Sequence, residues 1–301
     1  MSPELWLPAA DVAEPELSIV IPALNERIAI AEFVEWSKAG MAAAGIVGEI
    51  LIVDSSTDET PEIALAHGAR VLRTPKRGLG RAYIDAIPYI RGKYVLMGDA
   101  DCTYDFRELS GFIGKFRQGY EFVMGSRFRG YIEPRSMPIL HRYFGTPITT
   151  WILNVLYSTD FSDIHCGMRG ITRDALVRIE LDSQSWESAC EMILKAVCLD
   201  LPWTEVPVRF LKDGATGGSI CAPCCSGVSG VLRTRGLPVV LGRPMYLAVL
   251  GLLFLTVGFH TLVLHAANLR VRLRSAPLLP TRDQLPSRDQ LPSRHRQGAE
   301  T

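Results

Sequence analysis

Residues 94–101 read Tyr-Val-Leu-Met-Gly-Asp-Ala-Asp, and the fold turns on this stretch. It begins as a short apolar run, the pattern of a strand buried on both faces of a parallel sheet. It ends in two carboxylates one residue apart. Side chains two apart on extended backbone point the same way, so Asp99 and Asp101 can face one point beyond the strand. Carboxylates so placed repel unless a cation lies between them, and Mg2+ or Mn2+ prefers oxygen ligands. Taken alone, the same residues also suit a strand end followed by a plain acidic turn.

The flanking sequence places that strand in a series. A β-branched run at 17–21 stops at Pro22, and Asn25 is suited to cap the helix that follows. Ile30, Phe33, Val34, Ser37 and Met41 then recur at helical spacing up to Gly45. A second buried strand is predicted over 49–53, ending at Asp54. Ser56 and Glu59 have capping-box spacing for the next helix. A short strand at 70–72, a helix over 78–90, the strand at 94–97, a helix over 106–117 and a strand at 121–124 complete the alternation. Strands alternating with helices predict an α/β fold with a mostly parallel sheet and helices on both faces. Ligands of such sheets gather beyond the carboxyl ends of the strands. The polar clusters at 22–26, 54–58 and 99–101 all fall there.

Composition narrows the chemistry. The 301 residues carry zero formal net charge, which removes a bulk electrostatic case for nucleic acid. Seven cysteines are an odd count without a small secreted framework, so reduced thiols are expected. Cys221 and Cys224 form one Cys-x-x-Cys, but no second pair follows at zinc-ribbon spacing. The N-terminus lacks a basic region followed by an apolar core, and no signal peptide is expected. Gly-x-Gly-x-x-Gly is missing after the first strand and Gly-x-x-x-x-Gly-Lys-Ser/Thr is missing throughout. A classical dinucleotide fold and a P-loop are therefore disfavoured.

Several motifs in order carry a resemblance: Ser18 through Glu26, Ile52-Val53-Asp54 with Asp58 and Thr60, and Gly98 through Asp101. Gly125-Ser126-Arg127-Phe128, Gly145-Thr146-Pro147, Asp163 through Arg169, and Glu205 through Phe210 continue it. Over residues 16–213 the chain resembles the family-two GT-A glycosyltransferases, and more closely the dolichol- and polyprenol-phosphate sugar synthases. Ser55-Ser56 departs from the usual Asp-Gly, and the pattern ends after Asp213.

The resemblance implies a Rossmann-like GT-A fold and a set of roles. Pro22, Ala23, Asn25, Glu26 and Asp54, with Asp99, Ala100, Asp101 and Arg127, would bind the nucleotide-sugar. Asp101 would be the direct metal ligand, with Asp99 and a weaker Thr103 beside it. Arg127 would reach a phosphate, and Glu191 would lie near the sugar, on one helix face with Glu187. Asp163, Arg169, Arg209 and Lys212 would serve the acceptor or its phosphate. A lipid monophosphate is already an anion and needs little general base; a sugar hydroxyl would need a carboxylate such as Glu191 or Asp163. Direct displacement implies inversion. Three readings follow: transfer to a polyprenyl phosphate, transfer to a saccharide or other small acceptor, and a membrane-tethered binding domain without turnover.

Residues 245–269 contain no Asp, Glu, Lys or Arg, about enough apolar chain for one C-terminal transmembrane helix. Arg233, Arg235 and Arg243 precede it and Arg270, Arg272 and Arg274 follow, so charge does not orient it. A nucleotide-sugar donor implies a catalytic domain on the cytoplasmic side of the cell membrane. The domain plan is a loose tail over 1–15, a catalytic domain over 16–213, a linker over 214–244, the span, and a disordered tail over 270–301. Residues 138–157 have the pattern of an amphipathic surface that receives a lipid, though core packing explains it nearly as well.

Overall fold

β2 (Leu17–Ala23) is the spine of the sheet: every residue except Pro22 is buried. In the computed structural model, which describes residues 3–185 and 188–212, it lies between two parallel neighbours. β3 (Gly48–Asp54) pairs with it from Leu17↔Gly48 to Ala23↔Asp54, and β5 (Tyr94–Met97) from Leu17↔Tyr94 to Val20↔Met97. β5 has the expected bounds. β1 (Glu4–Trp6), β4 (Arg70–Arg73), β6 (Phe122–Ile132), β7 (Arg169–Thr172) and β8 (Trp203–Phe210) complete an eight-stranded sheet in the order β1-β4-β3-β2-β5-β7-β6-β8.

The sheet is mostly parallel, as expected, but mixed: six of its eight strands run the same way, and β7 and β1 run against them. β7 runs antiparallel to both β5 and β6, and β1 antiparallel to β4. The cause is the connection from β6 to β7. Instead of a crossover helix, the chain makes a long excursion over residues 133–168 and re-enters between β5 and β6 from the opposite end. β6 also outruns its expected end at 124, because Tyr131 and Ile132 pair again with Arg209 and Phe210 after an irregularity from Ser126. Residues 128–131 are exposed, so no apolar pattern marked this extension. The tail expected over 1–15 is not wholly loose. Its β1 adds an edge strand, with the Arg73 guanidinium 5.6 Å from the Trp6 ring centre.

The helices are α1 (Ile30–Ala43), α2 (Thr60–Ala66), α3 (Leu79–Ala86), α4 (Ser110–Arg117), α5 (Thr146–Tyr157), α6 (Arg173–Arg178) and α7 (Ser188–Cys198). On α1, Ile30, Phe33, Val34, Ser37 and Met41 are buried as their spacing requires. Asn25 does not cap it; α1 starts after Ala29, and Asn25 instead adopts φ +60° in the preceding turn. Nor do Ser56 and Glu59 form a capping box. The Ser56 hydroxyl accepts the Asn25 N–H at 2.7 Å, while Asp58 takes the Thr60 N–H at 3.1 Å. Pro88, which has no N–H to give, turns the end of α3 into a 3-10 turn over Ile87–Tyr89. The linker, the membrane span and the tail expected after 213, together with Glu187, lie outside the described residues. Among the described residues no helix is long and apolar enough to cross a membrane.

Two glycines give opposite expectations. A Cβ on Gly130 would lie 2.0 Å from the Val208 carbonyl oxygen, where β6 and β8 touch. Gly130→Ala should destabilise by about 1–3 kcal/mol, as overpacking does. Gly114, within α4, meets nothing within 4 Å, and Gly114→Ala should stabilise by about 0.5–1 kcal/mol. Urea unfolding of the two variants checks both signs.

Candidate active site

The chain leaves β2 towards β3 and later returns to β5 on the other side of β2. Beyond the carboxyl ends of β2 and β5 the connections part, which is where open α/β sheets bind ligands. Asp99 and Asp101 follow β5, the turn at 24–29 follows β2, and Asp54 ends β3. The three polar clusters expected from the sequence are thus on neighbouring strand ends.

Asp101 is buried and held in place. Its Oδ1 accepts the Thr103 N–H at 3.0 Å and the Thr103 hydroxyl at 2.6 Å. The Thr103 N–H and hydroxyl thus both orient the Asp101 carboxylate. Asp99 packs against Gly167, where an added Cβ would lie 2.6 Å from Asp99 Oδ2. Tyr104 secures the same contact by accepting the Gly167 N–H at 2.7 Å on its hydroxyl. Tyr83 donates to the Gly98 carbonyl at 3.2 Å. Burial and then the charge of Asp101 push the Asp99 carboxyl up to about 6, against the pull of Arg169 and Arg127.

This donor set fits a divalent cation. Two hard oxygen donors repel each other without one. Among the described residues no group of three His, Cys, Asp or Glu forms a closed cage. Such a site suits an ion that takes its other oxygens from water and a phosphate group, as Mg2+ and Mn2+ do.

Asp54 is fully buried, and burial raises its carboxyl above the usual range despite the bonds it receives. Oδ2 accepts the Ser56 N–H at 3.0 Å and a bond from Arg73. Oδ1 is buried with no hydrogen-bond partner among the described residues. Pro22 is half-buried and Ala23 buried, and the Ala23 carbonyl accepts the Ser55 N–H at 3.1 Å. Asn25 ties the turns together by accepting the Thr57 N–H at 3.0 Å, and the Glu26 N–H donates to Thr60 Oγ1 at 2.9 Å. Ala100 is buried between the two acids.

Contacts within the chain engage three residues with expected roles. Arg127 grips Asp163 fork to fork, Nε to Oδ2 at 2.7 Å and Nη2 to Oδ1 at 2.8 Å, both residues buried. The pair occupies Nε and Nη2 of Arg127 and both carboxylate oxygens of Asp163. Glu191 accepts the Asp182 and Ser183 N–H groups, each at 2.9 Å, and Lys195 at 2.6 Å. Burial opposes its charge, but these bonds outweigh burial and hold its carboxyl below the usual range. It anchors the 182–183 turn and is a poor proton acceptor. Arg169, expected to serve the acceptor or its phosphate, lies close enough to Asp99 to favour its ionised form. Its guanidinium is held by the carbonyls of Cys166 at 2.7 Å, Ala189 at 2.9 Å and Gly167 at 3.4 Å. Arg209 and Lys212 are exposed at the edge, beside Glu108 and Glu133 at 3.3 and 3.5 Å.

Sequence reading missed Tyr83, Tyr104, Gly167 and Glu205 as parts of the site's frame. Glu205 accepts the Ser162 N–H at 2.7 Å and hydroxyl at 2.8 Å, which braces the segment carrying Asp163. Only the antiparallel return of β7 brings these residues together, and no local spacing signals it.

Asp99 keeps its proton to about 6 in the folded chain, against 3.8 ordinarily. The folded state therefore holds the extra proton between those values, and the metal-free protein should lose stability as pH rises from about 4 to 6. Asp99→Asn should flatten that slope and raise the melting temperature at pH 7 in EDTA. Thermal unfolding across pH checks it; an unchanged slope contradicts the raised carboxyl.

Comparison with known proteins identifies the fold and the family. The low-salt glycan biosynthesis hexosyltransferase of Haloferax volcanii is 46% identical over 208 residues, 69% of this chain and 50% of that protein. The chain thus spans about half the length of that relative. A dolichyl-phosphate hexose transferase of the same organism is 32% identical over 162 residues, 54% of this chain and 69% of that protein. The crystal structure of glucosyl-3-phosphoglycerate synthase from Mycobacterium tuberculosis with Mn2+, UDP and phosphoglyceric acid aligns with TM-score 0.52 and 19% identity. It covers 76% of this chain and 81% of that one. At that identity the likeness speaks for the fold, a mixed α/β, Rossmann-like GT-A architecture. The model of one family matches residues 18–179, more than half of the sequence and the whole run from β2 through α6, so the chain belongs to glycosyl transferase family 2.

Proposed function

We propose that this chain is a hexosyltransferase that moves a sugar from a nucleotide-sugar to a polyprenyl phosphate, with inversion. The carrying observation is the placement of Asp99 and Asp101 at the switch point, beside the turns that follow β2 and β3. In this reading the base and ribose lie against Pro22, Ala23 and Glu26. The partnerless Asp54 Oδ1 is an acceptor for a base N–H, and Asn25 holds the two turns at their spacing. Asp101 and Asp99 hold Mg2+ or Mn2+, with Thr103 fixing the Asp101 carboxylate. When bound, the ion supplies charge neutralisation for the departing diphosphate. Arg169, held on three carbonyls, adds positive charge from the protein side.

The acceptor is inferred from what is already occupied. A hydroxyl acceptor needs a carboxylate base, and Glu191 and Asp163 are both committed to other partners. A phosphate acceptor is an anion and needs positioning instead. In this reading Arg209 and Lys212, exposed at the edge beside Glu108 and Glu133, exchange those partners for the acceptor phosphate. The relative named as a dolichyl-phosphate hexose transferase supports the same choice. A nucleotide-sugar donor puts the catalytic part on the cytoplasmic side of the cell membrane.

Incubation with labelled GDP-mannose or UDP-glucose, polyprenyl phosphate and Mn2+ should carry label into the organic phase. Asp101→Asn should cut that transfer by about 10²–10³-fold. Asp54→Asn should chiefly raise KM for the donor, as loss of a ground-state contact does. Label found only in water-soluble saccharide would overturn the lipid acceptor. Full activity of Asp101→Asn would overturn the ion's role.

A further inference from the structure

β1 covers the edge of β4, and its register decides what it touches. Glu4 pairs with Arg73 and Trp6 with Val71. On one face of an antiparallel pair, side chains meet diagonally as well as directly, within reach of an aromatic ring. Trp6 is thereby set beside Arg73. It is half-buried, and the Arg73 guanidinium carbon lies 5.6 Å from its ring centre, within cation–π range. The same N-terminal segment is fastened again further along. Both Asp11 oxygens receive Arg91, Nη1 to Oδ2 at 2.9 Å and Nη2 to Oδ1 at 2.8 Å.

Arg73 in turn serves the end of β3. Its Nη1 donates to Asp54 Oδ2 and its Nη2 to the Ser56 carbonyl at 3.2 Å. The next residue, Thr74, donates its N–H to the Asp54 carbonyl at 2.9 Å, and its hydroxyl lies 3.4 Å from that of Ser55. Among the described residues Arg73 is the one cation paired with Asp54. Burial pushes the Asp54 carboxyl up, and the contacts from Ser56 and Arg73 pull it back down. With Oδ2 taken by those two residues, Oδ1 is the buried atom with no partner among the described residues. Its power to accept a bond depends on Arg73 staying in place. The Arg73 side chain is 28% exposed, so it has rotamers to escape into, and holding it costs entropy. Asp54 and Ser56 hold one side of the guanidinium, and an aromatic ring from an edge strand holds the other.

We infer that Trp6 is a positioning residue of the donor site: it holds Arg73 on Asp54, and so keeps Asp54 Oδ1 set to accept a bond from the nucleotide base. This rests on the reading of Asp54 as a base contact, and pyrophosphate separates the two. Binding to the full chain is measured by calorimetry with UDP, GDP or pyrophosphate, each with Mn2+. Trp6→Leu should weaken the tighter-binding nucleotide about 3- to 10-fold, because fixing Arg73 again costs no more than the lost contact was worth. Pyrophosphate, which fits the Asp99 and Asp101 end alone, should bind both proteins equally. Trp6→Tyr keeps a ring and should bind the nucleotide as the wild type does. Asp11→Asn loosens the same segment away from Arg73 and should leave nucleotide binding unchanged. On an Arg73→Gln background, Trp6→Leu should have no further effect, as for two residues acting through one contact. Equal nucleotide binding by wild type and Trp6→Leu overturns the inference. So does a parallel loss for pyrophosphate, or the same nucleotide loss in Asp11→Asn, either of which would make β1 a structural strand only. A wild type that binds both nucleotides no more tightly than pyrophosphate would fault the base contact at Asp54 itself and take the inference with it.

Discussion

The paired guanidinium and carboxylate of Arg127 and Asp163 are the constraint on which the site rests. They join the middle of β6 to the return segment before β7, 36 residues later, through three hydrogen bonds in a buried setting. Removing one partner of such a pair leaves a buried charge uncompensated and typically costs about 3–5 kcal/mol. Here the loss would also free the segment that carries Gly167 and Arg169. Glu205, bonded to Ser162 and Arg129, braces the pair from β8. β6, β8 and the segment leading into β7 thus meet at one polar knot.

Above that knot the balance of charge is deliberate in its geometry. Asp101 raises the cost of ionising Asp99, while Arg169 and Arg127 lower it. Arg169 is held by carbonyls, so its charge is projected towards the acids instead of being consumed in an ion pair. A buried acid that burial and a like-charged neighbour push towards neutrality becomes a strong ligand once a cation arrives. The frame is preorganised, with Thr103, Tyr104 and Tyr83 holding the loops that carry the acids. Such preorganisation is what electrostatic catalysis requires of a protein.

Glu191 illustrates how far a motif alone carries an assignment. Its position on an amphipathic helix suits a residue near the sugar. Yet two backbone N–H groups and Lys195 saturate it, and its work is to pin the 182–183 turn. Gln184, next in that turn, receives the Arg81 N–H at the start of α3. The helix therefore organises the wall of the site without offering a reactive group.

Local pattern was enough for the parallel half of the molecule. β2, β3 and β5 are largely apolar runs, though β2 carries its pairing through Pro22 to Ala23, and α1 buries the residues its period names, because strand and helix periodicity are properties of adjacent residues. The acids at the strand ends were legible for the same reason. The antiparallel half was not. β7 is four residues long, β6 extends through exposed positions, and their pairing joins segments far apart in the chain. Which charges neutralise each other, as Arg127 with Asp163 or Glu191 with Lys195, and which face of α5 stays in water are matters of distance in the folded chain. Residue type and spacing carry no record of such distances, since they arise only when remote strands pack against one another.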